Sequence, residues 1–334
     1  MQEDFRELWM VMSNYHLITY KISHYRQEVF KIETNEGLKA LKICSDREEK
    51  ILFVYRIMNH LWKKGFRKIS PLILTVSGNP YVLLKDKIYV LNDWIYGRQC
   101  NFDFFEDLKA AASALAEFHK YSNGLKMSSE KKTRVMTHRW ITTFTERGNE
   151  LHDFADLATR KPSLLGAKYL DHYKAVTARA EKAREILINS QYPTIAMEAI
   201  AKGSFVHRDV AGRNFIMHKR NAWLIDFDYA RFDVRVVDIV RILERGLKNH
   251  KWNVPMGKGI IEAYNRINPI RRDEYPIILA FLTWPQKTWR FFDRYFNGKR
   301  NWQEENLVRK FDNILEKDKY KKTFLDWFEK EYCR

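Results

Sequence analysis

The segment at residues 205–216, FVHRDVAGRNFI, sets polar side chains between apolar anchors. Asp209 comes two residues after His207, and Asn214 comes five residues after Asp209. Phosphoryl transfer from a nucleotide mainly needs positioning, Mg²⁺ to neutralise the phosphates, and a carboxylate to orient the attacking hydroxyl. The spacing predicts Asp209 as catalytic base, Asn214 as Mg²⁺ ligand and His207 as internal brace of the loop. Alone, the segment also fits a polar turn with a core histidine and a capping aspartate.

A second acidic segment, LIDFDYA, occupies residues 224–230. Apolar residues run into Asp226, which predicts a buried strand that ends on a Mg²⁺-binding carboxylate. We expect two short strands joined at residues 218–221, a hairpin that holds Asn214 and Asp226 at its two ends. Asp228 shares a side with Asp226 on a strand, so it reaches either a second metal ion or the loop. The two segments in this order are far more specific than the HRD tripeptide alone.

The elements that must position these residues change character along the chain. Residues 29–34 and 38–44 predict a hairpin of two strands, and residues 46–65 predict a helix that Asp46 caps and Gly65 ends. The apolar stripe predicted for that helix is Leu52, Tyr55, Met58, Leu61 and Trp62. Residues 70–76, 80–86 and 87–95 then predict three further strands.

After Gly97 the pattern becomes helical. Residues 104–124 form a clear amphipathic helix pattern, residues 126–139 a polar basic loop, and residues 140–201 and 233–334 mostly helices. We therefore expect an α+β chain with a sheet-rich lobe at residues 1–96 and a helical lobe at residues 97–334. The catalytic segments fall in the second lobe.

Composition limits the possible partners. The 334 residues are 45% hydrophobic and 30% charged, which is typical of a globular protein. Lys and Arg outnumber Asp and Glu by 59 to 42, so a net charge of +17 favours an acidic partner. No zinc-finger or RNA-binding motif accompanies this charge, and nucleic acid is an unlikely partner. The three scattered cysteines predict neither disulfides nor a zinc site, and the sequence predicts no membrane span and no signal peptide.

The two acidic segments resemble those of the aminoglycoside phosphotransferase and choline kinase superfamily, over about residues 15–300. LIDFDYA is similar to the metal-binding strand of choline and ethanolamine kinases. GLKALKIC, YVLNDWIYGRQC and FLTWPQKTWRFFDRYF carry a closer likeness to the CotS-type spore coat proteins of Bacillus.

The resemblance implies a protein-kinase-like bilobal fold, with a small antiparallel β-sheet N-lobe containing one helix and a larger, mainly helical C-lobe. It also implies an ATP- or other NTP- and Mg²⁺-dependent phosphotransferase acting on a hydroxyl of a small molecule or protein. The alternative is a catalytically weak or inactive structural component of the spore coat. Either protein would be made in the cytoplasm, assembled into the coat and bound to other coat proteins.

Carried over residue by residue, the resemblance makes Lys42 the strand lysine that contacts the α- and β-phosphates. Its helix partner is Glu49 in preference to Glu48. The hinge whose backbone meets adenine comprises Asp93, Trp94 and Ile95. Asp238 matches the aspartate that supports the catalytic loop, with a helix N-cap as the alternative reading.

Two features depart from the family pattern. No glycine lies between Lys21 and Thr34, the stretch that covers the phosphates. Either residues 23–26 contact phosphate through their side chains, or nucleotide binding is weak or has been lost. The acceptor region at residues 283–296 carries four aromatic residues that form either a box for a quaternary ammonium or a plain core stripe: Trp284, Trp289, Phe292 and Tyr295. Its basic residues, Lys287, Arg290 and Arg294, favour an anionic or sugar-like acceptor.

Overall fold

The computed structural model describes residues 5–45, 47–126, 135–298 and 303–334. Its first part is a five-stranded antiparallel sheet in the order β1-β2-β3-β5-β4. The strands are β1 Thr19–Arg26, β2 Val29–Thr34, β3 Gly37–Cys44, β4 Val82–Leu84 and β5 Lys87–Asp93. Helix α1, Phe5–Met12, precedes the sheet, and helix α2, Glu48–Lys63, connects β3 to the rest. The predicted antiparallel sheet with one connecting helix is thus confirmed, and α1 is an addition to it.

The two faces of β3 bury different side chains, because successive residues of a strand point to opposite sides. Leu41 and Ile43 pack into a cluster with α1. Cys44, which shares a face with Lys42, belongs to the larger cluster that contains α2. Lys42 therefore points to the side of the sheet on which the helical part lies.

Residues 70–76 do not form the predicted strand. Their strand pairing with the sheet is limited to one bridge, between Leu72 and Asn92. The N–H of Ile73 donates to the carbonyl of Leu91, whereas that of Val76 donates to the carbonyl of Asn14, beyond the end of α1. The segment thus crosses from the sheet towards α1. Apolar content predicted a strand here, but the segment meets β5 only at the last residues of that strand, beyond the part that β4 pairs with.

Helix α2 forms as predicted, but its buried face differs in part from the expected stripe. Met58 and Leu61 are buried, while Leu52 and Trp62 are 43% and 39% exposed. The buried face also includes Ile51, Phe53, Val54 and Ile57. The helix lies between the sheet and the helical part, so a broader face is covered than one amphipathic stripe requires. Asp46, the predicted cap, lies outside the described residues.

The second part is mainly helical, as the sequence predicts. Its helices are α3 Phe105–Tyr121, α4 Trp140–Arg160, α5 Leu164–Ile188, α6 Tyr192–Ala201, α7 Val236–Leu247, α8 Val254–Asn265, α9 Tyr275–Thr283, α10 Gln286–Phe296 and α11 Glu304–Tyr332. Pro255 and Pro276 lie in the first turns of α8 and α9, where a missing N–H costs nothing. Within the predicted loop at residues 126–139, residues 127–134 lie outside the described part of the chain.

Short strands between these helices carry the two acidic segments. They are β6 Arg98–Gln99, β7 Phe205–Val206, β8 Phe215–His218, β9 Asn221–Leu224 and β10 Arg231–Phe232. Strands β8 and β9 form the predicted hairpin, in which Phe215 pairs with Leu224 and His218 with Asn221. Strand β6 pairs with β8 and β7 pairs with β10.

One hydrophobic cluster runs through α2 and the C-terminal helices, and a smaller one fills the space between the sheet and α1. The first cluster makes α2 the packed connection between sheet and helices. Division of the chain at residues 96 and 97 stays a prediction. Among the described residues, no helix is both long and apolar enough to cross a membrane.

Candidate functional site

The backbone of the HRD segment is held by Asp238 in the first turn of α7. Its carboxylate accepts hydrogen bonds from the N–H groups of His207 at 2.7 Å and Arg208 at 2.8 Å. Arg208 has φ of +71°, a conformation that costs free energy for a residue with a side chain. Asp238 is fully buried and binds the loop backbone. It therefore supports the loop and is not an exposed helix N-cap.

Asp238 has a further partner in His119 of α3, whose Nε2 lies 3.2 Å from the same carboxylate. The His119 Nδ1 lies 2.8 Å from the hydroxyl of Tyr264. Burial lowers the pKa of His119, against the opposing effect of Asp238. A neutral imidazole satisfies both contacts, since Nε2–H donates to the carboxylate and Nδ1 accepts from the tyrosine.

The predicted base, Asp209, is buried and carries three side-chain partners. Its Oδ1 accepts from Nη2 of Arg245 at 2.9 Å. Its Oδ2 accepts from Nη2 of Arg213 at 2.5 Å and from Nδ2 of Asn214 at 2.8 Å. Two guanidinium groups and an amide therefore fix the orientation of this carboxylate.

Asn214 and the second acidic segment are joined through the backbone. The N–H of Ile225 donates to the carbonyl of Asn214 at 3.0 Å. His207 adds a second tie, because its Nε2 donates to the carbonyl of Ile225 at 3.0 Å. His207 therefore joins the loop to the second acidic segment, and its role as internal brace stays a prediction. The next residue, Asp226, has φ of +67°, which turns the chain sharply at the end of β9.

The side chains of Asn214 and Asp226 fit a hard divalent cation such as Mg²⁺. The Asn214 Nδ2 donates to the Asp209 backbone and side chain, which leaves the amide oxygen Oδ1 as the available acceptor. Carboxylate and amide oxygens are the ligands that Mg²⁺ prefers. That these two residues bind the metal stays a prediction.

Lys42 reaches this place from the sheet. Its Nζ lies 3.1 Å from Oδ1 of Asp226 and 2.7 Å from Oδ2 of Asp228. Burial disfavours the ammonium, but Asp228 and Asp226 outweigh it, so the pKa of Lys42 is raised. Burial raises the pKa of Asp228, while for Asp226 the charge of Lys42 overcomes burial and lowers the pKa. Asp228 thus lies beside Lys42, at the end of the site that faces the sheet.

Glu49 and Glu48 lie in the exposed first turn of α2. The hydroxyl of Tyr81 donates to Oε2 of Glu48. The ion pairs of Lys42 described above are with aspartates, so its pairing with Glu49 stays a prediction.

The hinge residues differ in what their backbones offer. The Asp93 carbonyl accepts from the Ser70 hydroxyl at 2.9 Å, and the Asp93 carboxylate lies 2.6 Å from Nζ of Lys39. The N–H of Trp94 donates to the carbonyl of Leu38. Within the described part of the chain, the N–H and carbonyl of Ile95 make no hydrogen bond. Ile95 is therefore the strongest candidate for adenine recognition.

The glycine-free hairpin of β1 and β2 turns at Gln27, whose φ of +37° supplies the left-handed conformation that glycine usually provides. Ser23 donates to the carbonyl of Lys31, and His24 Nε2 lies 2.9 Å from the carbonyl of Gln27. The ring of Tyr25 meets that of Trp94 edge-on at 4.8 Å. The hairpin thus reaches the hinge, and its side chains at positions 23 and 24 are engaged within it.

The aromatic residues of the acceptor region do not form a box. Trp284 and Phe292 are buried, and Trp284 stacks on Phe144 at 4.4 Å. The face of Trp289 is covered by the guanidinium of Arg147, 3.9 Å from the ring centroid. These residues form a core stripe, and a cation already occupies the accessible ring.

Sequence reasoning missed Arg245, which contacts the predicted base. A signal was present. On α7, residues Asp238, Arg241 and Arg245 lie three and then four positions apart, which places them on one helix face. Since Asp238 was expected at the catalytic loop, the arginines on its face were candidates for the same site, and Arg245 does contact Asp209.

Comparison with known proteins finds similar proteins of two kinds, a spore coat protein and phosphotransferases, which are also the kinds that the motifs resemble. Spore coat protein S of Bacillus subtilis (strain 168) is 23% identical over 312 residues, which cover 92% of this chain and 89% of that protein. An aminoglycoside phosphotransferase from Alicyclobacillus acidocaldarius subsp. acidocaldarius DSM 446 superposes with a TM-score of 0.85 at 20% identity, covering 97% and 96% of the two chains.

More distant structures share the fold. Amicoumacin kinase hAmiN, in complex with AMP-PNP, Ca²⁺ and Ami, has a TM-score of 0.60 at 13% identity and covers 97% of this chain and 93% of its own. A choline kinase from Cryptosporidium parvum Iowa II has a TM-score of 0.54 at 12% identity, with 95% and 96% covered. The kinase-like α+β fold expected from the sequence is confirmed by these likenesses.

The family model described as spore coat putative kinase YutH matches residues 9–328. Nearly the whole chain is included in that match, and the spore-coat resemblance drawn from the motifs is confirmed. The chain belongs to the family of the spore coat putative kinase YutH.

Proposed function

We propose that this protein is an ATP- and Mg²⁺-dependent phosphotransferase of the spore coat that acts on a hydroxyl acceptor. Asp209 takes the hydroxyl proton, Lys42 contacts the α- and β-phosphates, and Asn214 and Asp226 hold the metal. His207 supports the loop, and the backbone of Ile95 meets adenine. Bound Mg²⁺ supplies neutralisation of the phosphate charges.

One observation carries the proposal: Lys42 and Asp226, 184 residues apart in the chain, lie 3.1 Å apart at the mouth of the catalytic loop. The carbonyl of Asn214 is bound by the residue preceding Asp226, and the Asn214 amide is bound to Asp209. Four polar residues from three separate segments therefore meet in one place. Packing alone does not require this, because half-buried charges are costly to desolvate.

A specific observation favours the second candidate, a coat component with weak or no activity. Asp209 is already bound by Arg213 and Arg245, and Lys42 is bound to two aspartates. A substrate must displace or share these contacts before transfer.

Thermal unfolding with and without ATP and Mg²⁺ tests the proposal. A ligand at about 100 times its Kd stabilises the folded state by about 2.7 kcal/mol, so a shift is expected for the wild type. Asp226→Asn should abolish the shift. Asp209→Asn should keep it and lose phosphate transfer. Asp171→Asn, an exposed change of equal charge on α5, is the control.

If millimolar ATP with Mg²⁺ shifts the melting temperature of neither the wild type nor Asp226→Asn, nucleotide binding is refuted and the structural role remains. Fractionation of sporulating cells tests the location. Recovery from the growing-cell cytosol alone, never from spore extracts, would end the coat assignment for both candidates.

A further inference from the structure

Trp94 follows β5 at the hinge, is half-buried and lies on the same face of the sheet as Lys42. Its N–H donates to the carbonyl of Leu38 at 2.9 Å, which extends the pairing of β3 with β5 by one residue. Residues opposite each other on antiparallel strands share a face, and Leu38 shares its face with Ala40 and Lys42. The indole of Trp94 is therefore on the side of the sheet that carries the lysine of the site.

Two side chains of the β1–β2 hairpin meet this indole. The ring of Tyr25 contacts it edge-on, with 4.8 Å between the centroids and 87° between the planes. The ammonium of Lys31 lies 5.6 Å from the centroid of the Trp94 ring. Lys31 pairs with Ala40, so it belongs to the same face of the sheet. Trp94 is thus the place where the glycine-free hairpin meets the hinge.

The indole of Trp94 has no face-to-face partner among the described residues. Its ring contact is the edge-on one with Tyr25, whose side chain is 52% exposed. Aromatic rings prefer offset stacking or edge contacts, and a ring with an edge contact alone still accepts a planar ligand in the stacked geometry. The planar part of a nucleotide is its base.

The backbone of the hinge leaves little to distinguish one purine from another. The Asp93 carbonyl accepts from Ser70, and the N–H of Trp94 is bound to Leu38. Within the described chain, Ile95 is the hinge residue that keeps both its N–H and its carbonyl for a ligand. Adenine presents the N1 acceptor beside the N6 donor, and guanine presents the O6 acceptor beside the N1 donor. One backbone donor and one backbone acceptor therefore serve either base.

We propose that Trp94 stacks on the base of the nucleotide and that the site takes GTP as readily as ATP. This inference rests on the proposed function, in which the nucleotide is the phosphate donor. Stacking tolerates any base because every base has a π-face. Strong discrimination needs buried polar groups that are left unpaired by the wrong base. The phosphates and the metal are the same for both nucleotides, so Trp94 and Ile95 set the base preference.

Equilibrium binding in the presence of Mg²⁺ tests the inference without an acceptor. Calorimetry would compare ATP, GTP and inorganic tripolyphosphate, which keeps three phosphates but has no base. We expect the Kd values of ATP and GTP to lie within about fivefold of each other, and tripolyphosphate to bind more weakly than either. Trp94→Ala should weaken the binding of both nucleotides by about 5-fold to 150-fold and leave that of tripolyphosphate unchanged. Trp94→Phe, which keeps a ring, should recover most of the affinity.

Trp62→Ala is the matched control. Trp62 lies on α2 and is 39% exposed, and the guanidinium of Arg67 lies 4.3 Å from its ring centroid. It therefore matches Trp94 as a partly exposed indole beside a cation, but it lies outside the sheet. This variant should bind ATP and GTP as the wild type does. Equal weakening by Trp62→Ala and Trp94→Ala would reveal a general effect of losing an indole and overturn the role of Trp94.

The remaining outcomes separate this inference from the proposed function. No binding of ATP, GTP or tripolyphosphate would overturn the proposed function, and the stacking role with it. Binding of both nucleotides with a preference for one of them above about fivefold would overturn the shared use of ATP and GTP alone. Full affinity of Trp94→Ala for both nucleotides, or tripolyphosphate binding as tight as that of ATP, would overturn the stacking role while nucleotide binding stands.

Discussion

Asp238 accepts a 2.8 Å hydrogen bond from the backbone N–H of Arg208, a residue held at φ of +71°. The same carboxylate binds the preceding N–H, so one buried side chain fixes two consecutive peptide units of the catalytic loop. A strained conformation persists only where its surroundings over-determine it. The orientation of the neighbouring Asp209 therefore depends on a residue of α7.

Asp238→Asn should destabilise the protein by about 2–4 kcal/mol, because an amide group would oppose an N–H donor inside a buried site. Chemical denaturation measures this loss. The exposed variant Asp171→Asn, which removes the same charge, should change stability by less than about 0.5 kcal/mol. Equal effects of the two variants would show that Asp238 does not support the loop.

Stability should fall as the pH drops below about 6.5. Burial lowers the pKa of His119 in the folded state, so the unfolded chain binds a proton more readily. The stabilisation is therefore present above the unfolded pKa and is lost as the pH falls towards the folded value. His119→Gln removes this titration, and its unfolding free energy should depend less on pH between about 7 and 5. If the unfolding free energies of the wild type and His119→Gln depend on pH in the same way, His119 is not the group that titrates.

Gly212→Ala should disrupt the catalytic loop. A Cβ at this position would lie 2.5 Å from the carbonyl oxygen of Cys100, a backbone atom that cannot move aside alone. We expect a loss of about 1–3 kcal/mol in stability and loss of phosphate transfer. Gly148→Ala, where a Cβ meets nothing within 4 Å on helix α4, should be neutral or stabilising by up to about 1 kcal/mol. Full activity in Gly212→Ala would show that the close approach is not required.

Asp228→Asn should lower the affinity for ATP and Mg²⁺ by less than about tenfold, because one carboxylate beside Lys42 remains. Asp226→Asn should abolish it, since the Asp226 carboxylate lies at the end of the hairpin that also holds Asn214. Melting curves across an ATP titration compare the two variants. Complete loss in Asp228→Asn would make Asp228 a metal ligand in its own right.

Local sequence was sufficient for much of the site. Asp209 and Asn214 lie five residues apart, within the reach of one loop, and the structure places their side chains in contact. The β8–β9 hairpin also follows from local pattern, since its strands are joined by a short turn. Lys42 could be placed on the inner face of the sheet because strands alternate with a period of two.

Contacts between distant segments required the tertiary structure. The pairing of Lys42 with Asp226 and Asp228, and of Arg245 with Asp209, depends on how sheet and helices pack, which no local pattern encodes. The same reason explains why residues 70–76 formed no strand: propensity is local, whereas a strand needs a partner over several residues, and this segment leaves β5 after Ile73. Sequence by itself thus determined the fold class and predicted a chemistry for the loop. Tertiary packing decided which charges surround Asp209, because burial and proximity set which ions remain unpaired.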